Sequence, residues 1–288
     1  MPMNGRLLRP RQTIHPEAAD WANRVRTNGG SVSGTTLSAV DRFVKAIHAA
    51  GIRDRFFRLN LFCGNSDAAL NAVRTPLFRG QSLTGTQYGN TIDTNVNFVA
   101  GDYSESVGLN ANGTPGNSSK YIDTGLSPDA MPTLATGHAS VFKGAGSVGA
   151  FTAGLIGSRT ATQFYYIRQI ATTDVLSANW GHGAFIAGTT ARTGAGLAMF
   201  TRTAANAMNG YFNTTTDLSD TGSRTPTANA NAFVVFGFRN TDGTLSSFVA
   251  WPYVISAYSI GAGMTAAQVA SYHTALTAFL AALGRPTT

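Results

Sequence analysis

The sequence predicts a mainly β protein: an antiparallel sandwich preceded by a small helical region and closed by one amphipathic C-terminal helix. Three observations carry this. From Pro76 onward the chain consists of short apolar runs separated by Gly, Asn, Thr and Ser, at spacings of about ten to twenty residues. No segment of helical period intervenes among those runs, which argues against a parallel α/β sheet. Charged residues make up only 12% of the 288 while glycine alone contributes 32. Few charges with many small polar residues suit a β-rich surface.

The N-terminal quarter has a different texture. Residues 1–12 carry Arg6, Arg9 and Arg11 with Pro2 and Pro10 and no periodicity, and form a basic arm. Pro16 marks a helix start, with Glu17 and Asp20 favouring its first turn, Trp21 and Val25 on its apolar side and Asn28-Gly29-Gly30 at its end. A second helix follows from about Thr36 to Ala50. Leu37, Val40, Phe43, Val44 and Ile47 make its stripe and Gly51 caps it; His48 lies just off the stripe. Arg53–Arg58 read as a short helix, Leu59–Cys63 as an extended segment and Asp67–Val73 as one or two helical turns. Residues 13–80 are thus expected to be a helical region distinct from the sandwich of residues 81–288.

Candidate strands of the sandwich are Asn95–Phe98, Ser119–Asp123, Ala139–Lys143, Phe151–Ile156, Gln163–Ile170, Ala184–Ala187, Gly196–Thr201, Met208–Phe212, Ala232–Phe238 and Phe248–Ser256. Residues 101–119 and 213–231, rich in Asn, Thr, Ser and Gly, read as long loops. The apolar runs beginning at Phe233 and Phe248, separated by turn chemistry at residues 239–244, read as a long β-hairpin. After Gly261-Ala262-Gly263 the period changes to about 3.6. Thr265 and Gln268 have capping-box spacing. Val269, Tyr272, His273, Leu276, Phe279, Leu280 and Leu283 share one helical face, and Gly284 and Pro286 stop a helix over residues 265–283.

The net charge of +7 is uneven: residues 1–80 hold twelve Lys or Arg against five Asp or Glu, and the remainder holds nine of each. A basic N-terminal region suits an acidic surface, of nucleic acid or of protein. The same charge is equally read as a solvated helical face, and since no aromatic-flanked basic stripe or nucleic-acid motif accompanies it, nucleic-acid binding is not the expectation. Cys63 is the single cysteine, set in an apolar run as a small buried hydrophobe, and it excludes an intrachain disulfide. Met1–Arg6 lacks the apolar stretch of a signal peptide, so synthesis in a cytoplasm without secretion by that route is expected. No run approaches the roughly 18 apolar residues of a membrane span, and no membrane partner is expected.

Catalytic patterns are sparse. Sugar cleavage on a sandwich requires two carboxylates flanking the bond, yet the chain has only two glutamates, Glu17 and Glu105, and no Glu-x-Asp-x-x-Glu. Asp217 and Asp220 remain as an atypical pair, in what reads as a solvated loop. Gly-x-Ser-x-Gly does not occur. His15, His48, His138, His182 and His273 are scattered without metal-ligand spacing, so no metal and no cofactor are expected. No acidic calcium-loop motif is present, although a calcium ion held by backbone carbonyls leaves no sequence signature. Gly144–Gly149 matches Gly-x-Gly-x-x-Gly, but outside a βαβ unit it is a turn between strands. The candidate binding feature is Asn179, Trp180 and His182, an aromatic ring and two polar groups in a Gly-flexed loop suited to stacking on a sugar. The competing reading packs Trp180 into the sandwich core. Trp251-Pro252-Tyr253 reads as strand or core.

Tyr121-Ile122-Asp123-Thr124-Gly125-Leu126-Ser127-Pro128 resembles the first strand of concanavalin A-like (laminin G/pentraxin-type) sandwich domains of bacteriophage and prophage structural proteins. Ser259–Val269, leading into a helix, is similar to the ending of the same group, and so is the pattern from Trp21 to Phe62. The resemblance covers about residues 15–284. It implies a concanavalin A-like jelly roll and a non-enzymatic virion component: a head decoration, fibre or tail-associated protein. Such a protein would be held to other virion proteins by its basic helical N-terminus, through Arg6, Arg9, Arg11 and the helices up to Val73, with the sandwich facing host-surface carbohydrate. Particle sites and fibres impose rotational symmetry, so a homo-oligomer is expected. It implies no catalytic residue. The alternatives from other classes are a polysaccharide-acting enzyme using Asp217 and Asp220, and a free carbohydrate-binding module.

Overall fold

A computed structural model describes residues 13–113, 119–182, 185–239, 244–245 and 249–288, apart from the side chains of His182, Val249 and Ala250. Arg6, Arg9 and Arg11 therefore lie outside the described residues. Helix α1 spans Pro16–Thr27, with Pro16 in its first turn and the His15 imidazole capping the Glu17 N–H. Helix α2 spans Gly34–Ala49, with Ser33 accepting from the Thr36 N–H at 3.0 Å. A single turn, α3, spans Asn71–Arg74, and α4 spans Ala266–Ala282. The capping box at α4 forms as its spacing requires: the Gln268 N–H donates to Thr265 Oγ1 while Gln268 Oε1 accepts from the Thr265 N–H. Gly284 ends the helix at φ 73°, where a Cβ would be strained.

The strands are β1 (Phe56–Asn60), β2 (Thr94–Val96), β3 (Tyr103–Ser104), β4 (Gly108–Asn110), β5 (Tyr121–Asp123), β6 (Gly137–Lys143), β7 (Ala153–Arg159) and β8 (Phe164–Gln169). They continue as β9 (Val175–His182), β10 (Ile186–Ala191), β11 (Gly196–Ala204), β12 (Ala207–Phe212), β13 (Thr215–Asp220), β14 (Val234–Val235), β15 (Val249–Ala250) and β16 (Val254–Gly261). One sheet has the order β13-β12-β11-β6-β16-β4-β3, with β1 on the same edge of β16 as β4. The other runs β10-β9-β8-β7-β14-β5-β2, with β15 alongside β7. Every pairing is antiparallel except that of β15 with β7. The fold is an antiparallel sandwich with a C-terminal helix and N-terminal helices.

Two cores hold three layers together. Alternation along β6 sends Ala139 and Val141 between the sheets, while Phe142 faces the helices. The inter-sheet core joins Leu155, Tyr165, Ile167, Trp180, Phe200, Phe233 and Ile260. The second core joins Trp21, Val25, Phe43 and Ile47 of α1 and α2, Tyr272, Leu276 and Phe279 of α4, and Leu197 and Met199 of β11. Phe43 meets Phe279 edge-on at 5.9 Å. Residues 13–80 are therefore continuous with the sandwich and share its core: α2 packs on α4, and β1 is a strand of the first sheet. Within β1, Arg58 is buried because Asp93 answers its charge at 2.5 Å; Tyr258 and Asn60 donate to the same carboxylate.

Several expectations are corrected. Arg53–Arg55 form a 3₁₀ turn, but Phe56–Arg58 are strand, drawn out by pairing with β16. The runs from Phe233 and Phe248 do not form one long hairpin: Val234–Val235 and Val249–Ala250 each pair with β7 in the second sheet, while Val254–Gly261 crosses to the first. Phe236 adopts φ 74°, a conformation that ends a strand, and its ring packs 4.9 Å from Phe98. Residues 101–119 include β3 and β4, and 213–231 include β13, because Leu109 and Leu218 anchor these polar segments in the inter-sheet core and Thr favours strand. Val175–His182 forms β9, where no strand is expected from the sequence.

Candidate functional site

The first sheet is covered on both faces, by the second sheet and by the helices. The core beneath the helices contains no residue of the second sheet, so among the described residues no helix packs on that sheet's outer face, although Arg168, Ser177 and Asn179 on it are buried. Its chemistry follows from strand alternation. In β8, Tyr165 and Ile167 enter the inter-sheet core, which sends Phe164, Tyr166 and Arg168 to the outer face. In β9, Leu176, Ala178 and Trp180 point inward, placing Ser177 and Asn179 outward beside Arg168 and Tyr166.

The outer face carries an aromatic and arginine cluster. Tyr166 stacks on Phe238 with centroids 5.1 Å apart and an 18° interplanar angle, and Phe164 meets Tyr166 edge-on at 5.8 Å. The Arg159 guanidinium lies 5.5 Å from the Phe164 ring centroid, while that of Arg168 lies 5.2 Å from Tyr166 and 4.3 Å from Phe185. Phe185 is 54% exposed and Phe164 half-buried, whereas Tyr166 and Phe238 are buried. Glycines in β7 make the room: a Cβ on Gly154 would come 2.5 Å from Phe238 Cδ1, and one on Gly157 2.5 Å from Tyr166 Cβ. The buried stacked pair is thus a floor, with Phe164, Phe185 and the arginines around it. Burial pushes the Tyr166 hydroxyl up to about 12, so it stays a neutral donor.

The residues singled out from sequence are placed differently. Trp180 is on β9, not in a loop, and is 0% exposed; its Nε1 donates to the Leu134 carbonyl at 3.1 Å and Tyr165 packs edge-on at 5.2 Å. Its ring face is not available to a sugar. Asn179 is buried too, but on the outer face opposite Tyr166. The His182 backbone pairs with Phe164, and its side chain is outside the described residues. Asp217 and Asp220 lie on β13, not in a solvated loop. The Asp217 side chain is 1% exposed and paired with Arg192 at 2.6 Å, and Asp220 pairs with Arg224. Gly144–Gly149 is a turn between β6 and β7, where Asp174 accepts from Ser147 Oγ and the Val148 N–H. Burial pushes the Cys63 thiol up to about 12, removing it as a nucleophile near neutral pH. Phe164, Tyr166 and Arg168 were legible as alternate positions of one strand; Phe185 and Phe238 come from loops and carry no such signal.

Chemically, the face offers aromatic surface for the C–H side of a flat ligand, with fixed positive charge at its margin. Among the described residues, no pair of accessible carboxylates faces it.

No family model matches the chain, and no curated protein sequence matches it. Solved structures similar to it include domain 4 of an extracellular arabinanase from Geobacillus stearothermophilus in complex with arabinotriose. That domain is 17% identical, with 57% of this chain and 80% of that one covered at a TM-score of 0.39. A Trypanosoma rangeli sialidase is 8% identical over 74% of this chain and 32% of its own, with a TM-score of 0.46. The botulinum neurotoxin serotype D binding domain is 8% identical over 77% of this chain and 51% of its own, also at 0.46. The chain therefore spans about a third of the sialidase and half of the toxin domain.

Proposed function

We propose that this chain is a lectin-like binding module whose second sheet holds carbohydrate on its outer face, with a preference for acidic sugars. The observation that carries the reading is the cluster of Phe164, Tyr166, Phe185 and Phe238 with Arg159 and Arg168. Aromatic faces take the apolar side of a pyranose, and guanidinium groups favour carboxylate or sulfate substituents. Asn179 and Ser177 lie on the same face but are buried, so the contacts to a sugar fall to the groups that reach solvent. Trp180 serves the fold beneath it.

The module would act as a virion component, a decoration, fibre or tail-associated protein. This part rests on the sequence resemblance and on the basic segment containing Arg6, Arg9 and Arg11, which would bind other virion proteins. Two tests separate the claims. Saturation-transfer NMR with acidic and neutral oligosaccharides is expected to show transfer to acidic sugars; absence of transfer to any sugar contradicts glycan binding. Deleting residues 1–12 is expected to weaken incorporation into particles while leaving thermal unfolding unchanged, and normal incorporation contradicts the anchoring role.

A further inference from the structure

Two histidines 33 residues apart in sequence meet at the junction of α1 and α2. His15 caps α1, Glu17 stands in the first turn of α1, and His48 lies in the last turn of α2. Among the described residues, these three form a group whose potential ligand atoms all lie within 4.8 Å of one another. His48 Nε2 is 2.7 Å from Glu17 Oε2, and the two imidazole centroids are 4.4 Å apart. We propose that His15, Glu17 and His48 bind one divalent transition-metal ion of the zinc class, with solvent completing the coordination.

The donor set fits that class. Two imidazoles and one carboxylate suit zinc, nickel, cobalt or copper, whereas calcium and magnesium need more oxygen ligands. The carboxylate is pre-oriented from behind. Arg53 Nε donates to Glu17 Oε1 at 2.8 Å and to Oε2 at 3.0 Å, while Arg53 Nη1 is fixed on the Gly80 carbonyl at 2.8 Å. Asp41 fixes the His15 backbone by accepting its N–H at 2.6 Å and holds Lys45 at 2.7 Å. The site has an open side, since the His48 side chain is 41% exposed against 7% for Glu17. An ion would replace the proton shared by His48 and Glu17. Two bonds of about 2.0–2.1 Å at a tetrahedral angle set the ligand atoms about 3.3 Å apart, so His48 must retreat by less than an ångström. An exposed side chain at a helix end can do so. The α2 C-terminus favours a cation, whereas Arg53 and Lys45 oppose one, which limits the affinity.

The competing account is an ion-pair cluster that only ties α1 to α2, and calorimetry distinguishes the two. Untagged, chelator-stripped full-length protein is titrated with zinc chloride at pH 7.5, and melting is followed with and without zinc. One ion per chain and a raised melting temperature are expected. His48→Ala should weaken binding by about tenfold or more and remove the rise, with His48→Gln as a second variant if folding suffers. His273→Ala, distant in sequence on α4, should leave both unchanged. Absence of zinc-dependent heat, or binding unaltered in both His48→Ala and His15→Ala, overturns the proposal.

Discussion

Tyr166 and Phe238 lie nearly parallel, centroids 5.1 Å apart, on the outer face of the second sheet, over strand positions that only glycine can occupy. This stacked aromatic pair supports the two rings that reach solvent beside it. The pair itself is buried; the groups that reach solvent are Phe185 and Phe164.

Trp180 is a core residue, and the variant Trp180→Ala should behave as one. Its truncation is expected to cost about 3–5 kcal/mol. Urea unfolding followed by circular dichroism should show a lowered midpoint with an unchanged slope. A variant of native stability would place the ring outside the core.

The Arg58–Asp93 pair is fully buried, with Tyr258 completing it at 2.9 Å. Asp93→Ala leaves an uncompensated guanidinium among β1, β16 and the loop before β2, at a cost of about 3–5 kcal/mol. Soluble expression and the urea midpoint check this, and a cost under about 1 kcal/mol would mean that water reaches the site.

His138 is buried beneath α4, with its ring nitrogens on the Ala262 carbonyl and Ser259 Oγ. Burial, with a smaller push from Arg55, lowers its pKa to about 4. Between about pH 6.5 and 4 the unfolded chain holds a proton that the folded chain does not, so stability falls as pH falls through that window. Unfolding midpoints of the native chain and His138→Asn should converge as pH drops; parallel curves would contradict this.

Lys143 gives the mirror case on the alkaline side. It is buried at the end of β6, with Nζ on the Gly194 carbonyl at 2.8 Å and the Trp251 and Phe212 rings nearby, and burial lowers its pKa to about 7. From pH 7 towards 9.5 the unfolded chain holds the extra proton, so stability should rise with pH. Lys143→Met should flatten that rise, and an unchanged slope would assign it to another group.

The sandwich was legible because its cues are local: apolar runs, turn residues and the Thr265–Gln268 capping box each act over a few positions. What was not legible depends on partners far along the chain. The runs from Phe233 and Phe248 look like a hairpin, yet β14 and β15 both pair with β7 and the second run then crosses to the first sheet as β16. Trp180 beside Gly181 looks like a loop, but alternation with Ala178 and Leu176 commits it inward. The outer face needs Phe238 to land on Tyr166 from 72 positions away, and His15 meets His48 only because α1 folds back on α2. No spacing rule encodes either meeting.

The most direct test of the binding face is a glycan array probed side by side with the native chain and the double variant Phe164→Ala/Phe185→Ala. Both positions reach solvent, so the variant should keep the native melting temperature to within about 2–4 °C. The native chain is expected to retain a set of acidic glycans and the folded variant to lose them. No glycan retained by the native chain, or the same set retained by the variant, would contradict that expectation.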